Sequence, residues 1–150
     1  MKIVFVCTGN ASRSAASEVV LRKMLAQNNM QAIEVESCGT DVPQGLCREE
    51  VMCRIAAEAG YSLGGKAVKM SAQILESADL IIVMTEDHRS QVLQFLNSNM
   101  QDKRIVRFNE FCFGDDSDLP DPHYHGESVY RKCFDTIERG CREIIKKLKE

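Results

Sequence analysis

An apolar run, Ile3-Val4-Phe5-Val6, ends in Cys7, and only Thr8-Gly9-Asn10-Ala11-Ser12 separates that cysteine from Arg13-Ser14 and a helix-like segment. Consecutive apolar residues suit a strand covered on both faces, which pushes the chain toward a parallel sheet with helices on each side. The turn has a chemistry of its own. Gly9 and Asn10 tolerate left-handed backbone angles that aim successive N–H groups inward, and the helix that follows adds the positive end of its dipole. Such a bowl holds a dianion. Surroundings of this kind bring a thiol pKa down to about 4–7, so Cys7 is predicted to be a thiolate nucleophile at neutral pH. Arg13 offers a planar fork for two phosphoryl oxygens, and Thr8, Gly9, Asn10, Ala11 and Ser12 complete the phosphate-binding loop. Ser14 is placed to donate to the sulfur when it leaves.

Spacing alone does not define this site, because Cys133 and Arg139 have the same separation. That second copy contains no glycine. Val129, Cys133, Ile137, Cys141, Ile144 and Leu148 recur at helical spacing, so Cys133 is expected to be a small buried residue of a C-terminal helix.

Strands are predicted over Lys2–Val6, Ile33–Ser37, Leu80–Met84 and Arg104–Phe108, alternating with helices over Ser14–Gln27, Glu49–Ala59, Glu86–Leu96 and Ser128–Lys149. Right-handed crossovers then give an α/β fold, a doubly wound Rossmann-like sandwich around a central four-stranded parallel sheet. Leu80-Ile81-Ile82-Val83 reads as a second central strand, whereas the alternation Ile33-Glu34-Val35-Glu36 suits an edge. Loops at the carboxyl ends of parallel strands share one edge of the sheet. Asp121, in the long polar segment Asn109–Glu127, can therefore meet Cys7 across 114 residues of sequence.

A chain of 150 residues with 44% hydrophobic content suits one domain spanning 1–150. The net charge of −3 and the scatter of basic residues argue against nucleic acid as a partner. The first apolar run is too short for a signal sequence and no stretch approaches a membrane span, so a cytoplasmic protein without a membrane partner is expected. Seven cysteines at irregular spacing, with no Cys-x-x-Cys pair, fit a reducing compartment better than disulfides or zinc. A calcium loop starting at Asp116 would need Asp or Asn where Pro120 stands and Gly where Asp121 stands. Asp115-Asp116-Ser117-Asp118 is thus read as a solvated acidic loop, and neither a metal nor a cofactor is expected. Gly60 to Lys66 approximates a nucleotide P-loop, but Ala67 stands where the magnesium-binding hydroxyl belongs and a helix precedes it. A helix stop and turn is the expectation there.

The loop Val6-Cys7-Thr8-Gly9-Asn10 with Arg13-Ser14 resembles the active-site loop of the low-molecular-weight protein tyrosine phosphatases. Further likenesses follow in order: Ser37-Cys38-Gly39-Thr40, then Ala78 to Thr85, then Asp121-Pro122-His123-Tyr124, which is similar to that family's acid loop. The resemblance implies a phosphocysteine mechanism with Cys7, Arg13 and Asp121 as catalytic residues. A phenol of pKa near 10 leaves poorly unless it is protonated as it departs. That task falls to Asp121, with burial against Pro122 and the phosphoryl charge favouring its neutral form; in the second step it deprotonates the attacking water. Asn10 and Ser37 are implied scaffolding, His123 and His125 rim residues, and Tyr124 a flank for an aryl ring. The implied substrate is a phosphotyrosine-containing protein or a small aryl phosphate, with inorganic phosphate as product and a monomer or weak dimer as the working state.

The chain departs from the family at several positions. Ser12 stands where the family usually has a second cysteine that caps the oxidised nucleophile, so that protection is expected to be missing unless another thiol such as Cys38 or Cys47 reaches Cys7. Ala15 replaces a proline at the helix start, and Asp41-Val42-Pro43-Gln44 places Val42 where a pocket-wall aromatic is common. The alternative on the same scaffold is phosphoarginine hydrolysis, since Met84-Thr85 and His88 resemble that branch, although it carries Thr where Ala11 stands. Arsenate reduction would need an added cysteine pair after the third strand, and none lies between Cys53 and Cys112. A purely phosphoprotein-binding module would need neither the thiolate nor the acid.

Overall fold

A computed structural model of the chain describes residues 1–96 and 104–150. The elements run β1 (Lys2–Cys7), α1 (Arg13–Gln27), β2 (Glu34–Gly39), α2 (Glu50–Glu58), α3 (Ala72–Ser77), β3 (Leu80–Val83), α4 (Glu86–Leu96), β4 (Arg104–Arg107), α5 (Phe108–Phe113) and α6 (Glu127–Leu148). Four strands form one sheet in the order β2-β1-β3-β4, and every neighbouring pair is parallel. The two continuous apolar runs are the central strands, and the alternating run is an edge, as their patterns require.

Side-chain alternation along each central strand divides the core into two layers. Ile3, Phe5 and Cys7 of β1 and Leu80 and Ile82 of β3 pack with α1, α2, α5 and α6. Val4, Val6, Ile81 and Val83 pack with Leu75 of α3 and Val92 and Leu96 of α4. A one-residue slip in β1 would carry Cys7 out of the first layer and Val6 into it, so the buried pattern sets the register that positions the nucleophile. Val6 pairs with Cys38 and Cys7 with Gly39 across β1 and β2.

The C-terminal helix buries Tyr130, Cys133, Phe134, Ile137, Gly140, Cys141, Ile144 and Ile145. Cys133 is a buried helical residue, whereas Val129, expected in the same stripe, is 37% exposed. Tyr130 takes its place one position on, because the stripe drifts around a straight helix. At Gly140 the helix backbone meets a ring: a Cβ there would lie 2.4 Å from Phe108 Cζ and 2.5 Å from Cε1.

Two elements differ from the sequence expectation. The segment expected to be loop from Asn109 begins instead within α5, and α3 has no predicted counterpart. Each has six residues, too few to show a helical period. Tertiary contacts hold α5, since Phe108 is fully buried between the Phe5 and Phe113 rings, each with its centroid 6.4 Å away. The acidic tetrad after it is also not simply solvated. The nearly buried Arg107 pairs with Asp116 and, at 3.0 Å, with Asp118, so the loop leading to Asp121 is tied to the end of β4. Gly60 follows α2 with φ +91°, the helix stop and turn expected there. No helix among the described residues is long and apolar enough to cross a membrane.

Candidate active site

The first strand ends at Cys7, which is 2% exposed, and the chain turns through residues 8–12 into α1 at Arg13. Asn10 takes φ +53°, the left-handed angle that asparagine tolerates better than most residues. Its side chain is fully engaged. Asn10 Nδ2 donates to Ser14 Oγ at 2.8 Å and to Ser37 Oγ at 2.9 Å, while Oδ1 accepts from Val68 N at 2.8 Å and Arg48 Nη1 at 2.6 Å. Arg48 also donates to the Asn10 carbonyl. Ser37 in turn donates to Glu18 Oε1 at 2.8 Å, so the loop is braced from α1 and β2 together. Gly39 at the end of β2 makes room for it, because a Cβ there would lie 2.4 Å from Thr8 O and 2.9 Å from Asn10 N.

Ser14 Oγ lies 2.8 Å from Cys7 Sγ. Since Asn10 already donates to Ser14, the single hydroxyl proton has two acceptors within reach, the sulfur at 2.8 Å and Cys38 O at 3.4 Å. The shorter contact places a donor on the sulfur. Thr8 Oγ1 lies 2.8 Å from His88 Nε2. His88 is 2% exposed, and burial followed by the Arg13 charge brings its pKa down to about 4. It is therefore a neutral imidazole at physiological pH, and its Nδ1 has no hydrogen-bond partner among the described residues.

Arg13 is 4% exposed. Its Nη1 donates to Leu119 O at 2.9 Å and its Nη2 lies 3.6 Å from Asp121 Oδ2. Leu119 N donates to Met84 O at 2.9 Å, so the loop carrying Asp121 is anchored to the end of β3. The carboxyl edge of the sheet thus brings Cys7, Arg13 and Asp121 together. Asp121 is not buried against Pro122 as expected; its side chain is 52% exposed while Pro122 is buried. A rigid proline fills the core side of the turn and leaves the carboxylate facing the cleft.

That cleft has a volume of about 520 Å³. Its lining includes Cys7, Thr8, Gly9, Ala11, Ser12 and Arg13 from the first turn. Pro43, Leu46, Cys47 and Glu49 add a rim from the segment after β2, and Asp121 and His123 add one from the segment before α6. Asn10 lies behind the loop rather than in the cleft, consistent with its bracing bonds. Val42 and Tyr124 also fall outside the lining. Tyr124 is 94% exposed at φ +67° with its ring on His123, so it does not flank the cleft; Leu46 and Pro43 stand there in place of an aromatic wall. Cys38 belongs to the apolar layer on the other face of the sheet, and its thiol is pushed up to about 12 mainly by burial. Cys47, by contrast, is exposed and lines the cleft.

A sequence model of the low molecular weight phosphotyrosine protein phosphatases matches residues 2–150. The chain belongs to that family. Within it, the chain is 28% identical over 151 residues to the protein-arginine-phosphatase of Bacillus subtilis (strain 168), covering 100% of this chain and 98% of that protein. It is 30% identical over 153 residues to the low molecular weight protein-tyrosine-phosphatase Etp of Escherichia coli (strain K12), covering 97% and 93% respectively. The solved structure of a YwlE mutant from Bacillus subtilis superimposes with a TM-score of 0.91 at 25% identity, over 100% of this chain and 99% of that one. A protein tyrosine phosphatase from Entamoeba histolytica gives 0.89 at 26% identity, over 99% and 97%.

The family likeness leaves Arg48 and Glu49 unexplained. Neither carries a motif in this sequence, since both come from the irregular segment before α2 and reach the site only through tertiary contacts.

Proposed function

We propose that residues 1–150 form one phosphatase domain that hydrolyses phosphotyrosine in proteins, or small aryl phosphates, through a phosphocysteine. The observation that carries this reading is Cys7 Sγ at the cleft floor, 2.8 Å from Ser14 Oγ, in a loop whose Arg13 faces Asp121. The amides of Thr8 to Arg13 and the Arg13 fork receive the equatorial phosphoryl oxygens and their developing charge. Sγ attacks phosphorus as the bond to the ester oxygen breaks, and Asp121 delivers its proton to that oxygen. Asp121, now a carboxylate, then takes a proton from a water whose oxygen attacks the phosphocysteine. The P–S bond breaks, Ser14 donates to the departing sulfur, and inorganic phosphate leaves. No residue in this sequence of steps calls for a metal or a cofactor.

Phosphoarginine hydrolysis is the second reading, favoured by two carboxylates, Glu49 and Asp121, on a cleft whose only aromatic ring among the described residues is the His123 imidazole. Carboxylates suit a guanidinium leaving group. Ala11, which offers no hydroxyl to orient a guanidinium, keeps phosphotyrosine first. The free state of all seven cysteines fits a reducing, cytoplasmic setting, in which the protein is proposed to act as a monomer or weak dimer without nucleic acid or membrane. The test is kcat/KM on a phosphotyrosine peptide, a phosphoarginine peptide and a sugar phosphate, with rapid-quench trapping of phosphoenzyme. Phosphotyrosine is expected to lead. Absence of phosphoenzyme during turnover, or turnover retained in Cys7→Ser, would overturn the covalent mechanism.

A further inference from the structure

Glu49 stands immediately before α2, in the capping position, yet its side chain makes no capping bond to that helix. The helix start does not use the carboxylate. Two other elements do, and the Glu49 backbone reaches a third. Glu49 N donates to Ala11 O of the phosphate loop at 3.0 Å, Oε1 accepts from His123 Nδ1 at 2.7 Å, and Oε2 accepts from the Tyr130 hydroxyl at the start of α6. Burial, reinforced by the Glu49 charge, raises the Tyr130 phenol pKa, so the phenol remains a donor.

His123 connects this anchor to the acid. Its backbone N–H donates to Asp121 Oδ1 at 3.0 Å, and the other oxygen, Oδ2, faces Arg13 at 3.6 Å. Leu119 ties the loop to β3 upstream, and α6 begins at Glu127 downstream. Between those points His125 N bonds Pro122 O, a contact internal to the turn that does not fix its position. Exposed loops held only at their ends move, and a reacting group must stay within a fraction of an ångström of its target.

We infer that Glu49 is a positioning residue for the general acid: its carboxylate clamps His123 against Tyr130 and so holds Asp121 over the phosphate loop. The inference rests on the reading of Asp121 as the acid. A residue acting through the acid shows the acid's signature, a loss that grows as the leaving group becomes less acidic. A residue acting as a plain cleft wall changes KM for every ester alike.

The experiment measures kcat and KM for p-nitrophenyl phosphate, whose leaving group needs little protonation, and for phenyl phosphate, whose leaving group needs it fully. The variants are Glu49→Ala, Glu49→Gln and Asp121→Asn, with Glu49→Ala also placed in the Asp121→Asn background. Glu49→Ala is expected to lower kcat/KM about tenfold on phenyl phosphate and about twofold on p-nitrophenyl phosphate. Glu49→Gln keeps one acceptor for His123 and is expected to fall between it and the parent. In the Asp121→Asn background the added loss should vanish, because the two residues act as one unit. His123→Asn removes the same clamp from an exposed position and is expected to repeat the pattern if Glu49→Ala folds poorly. Equal losses of kcat/KM on both esters, or full additivity with Asp121→Asn, would overturn the inference while leaving Asp121 as the acid. If Asp121→Asn itself shows no leaving-group dependence, the underlying reading fails instead.

Discussion

One amino group of Arg13 lies 3.6 Å from Asp121 Oδ2, while the other donates to Leu119 O at 2.9 Å in the same loop. On the proposed reading the guanidinium serves both as a phosphate fork and as an anchor for the loop that carries Asp121. On that reading a bound phosphoryl dianion shares Arg13 with Asp121. Asp121→Asn is expected to slow phenyl phosphate far more than p-nitrophenyl phosphate, by about 10²–10⁴-fold for the poorer leaving group. Steady-state kcat/KM over a series of substituted phenyl phosphates checks it, and a flat response would remove Asp121 from the acid role.

Ser14 carries a second prediction. Its hydroxyl is the near donor to Cys7 Sγ, and hydrogen bonds to charged groups contribute about 1.5–3 kcal/mol. Ser14→Ala should thus lower kcat by about 10- to 100-fold, the loss falling on breakdown of the phosphoenzyme, where sulfur departs. Stopped-flow kinetics with p-nitrophenyl phosphate should show a larger burst than the parent. A kcat within twofold of the parent would contradict this role.

His88 makes stability depend on pH. Its pKa is about 4 in the folded protein, brought down from an ordinary 6.5, so between those values the unfolded chain holds a proton that the folded one refuses. Stability therefore rises with pH across that window and is lost as pH falls from 6.5 through 4, with no contribution above 6.5. The full loss is about 3 kcal/mol at 1.36 kcal/mol per pH unit. Urea unfolding at pH 7 and pH 4.5 should show the parent losing about 2–3 kcal/mol more than His88→Asn. Equal losses in the two proteins would exclude the buried imidazole as the cause.

Gly140 tests the packing of α6 on α5. Alanine at this helical position gains about 1 kcal/mol of propensity, but its Cβ would sit 2.4 Å from Phe108 Cζ and 3.2 Å from Cys112 Sγ. Phe108 has no exposed side to move toward, so overpacking of about 1–3 kcal/mol wins and Gly140→Ala is expected to be destabilised. Adding Phe108→Leu should recover part of the loss, seen as non-additive shifts in the urea midpoint. A stabilised Gly140→Ala protein would show that the ring yields.

The sequence by itself determined the central strands, the long helices and the turn from Cys7 into the helix at Arg13, because each is written in local chemistry. Continuous apolar runs demand cover on both faces, helical spacing marks α6, and Gly9, Asn10 and Arg13 lie close enough in sequence to be read as one turn. Asp121 was legible through its motif and the rule that loops gather at one edge of a parallel sheet.

Tertiary structure alone decided what depends on distance. Glu49 meets His123 and Tyr130 across more than 70 residues, Arg48 braces Asn10 across 38, and Thr8 meets His88 across 80. No periodicity records such pairs. Tyr124 was read as a cleft residue from its place in a motif, and the left-handed angle at that position turns it outward. The short helix α5 follows the same logic, since six residues cannot hold a helix alone and Phe108 is kept in place by Phe5 and the bare backbone at Gly140.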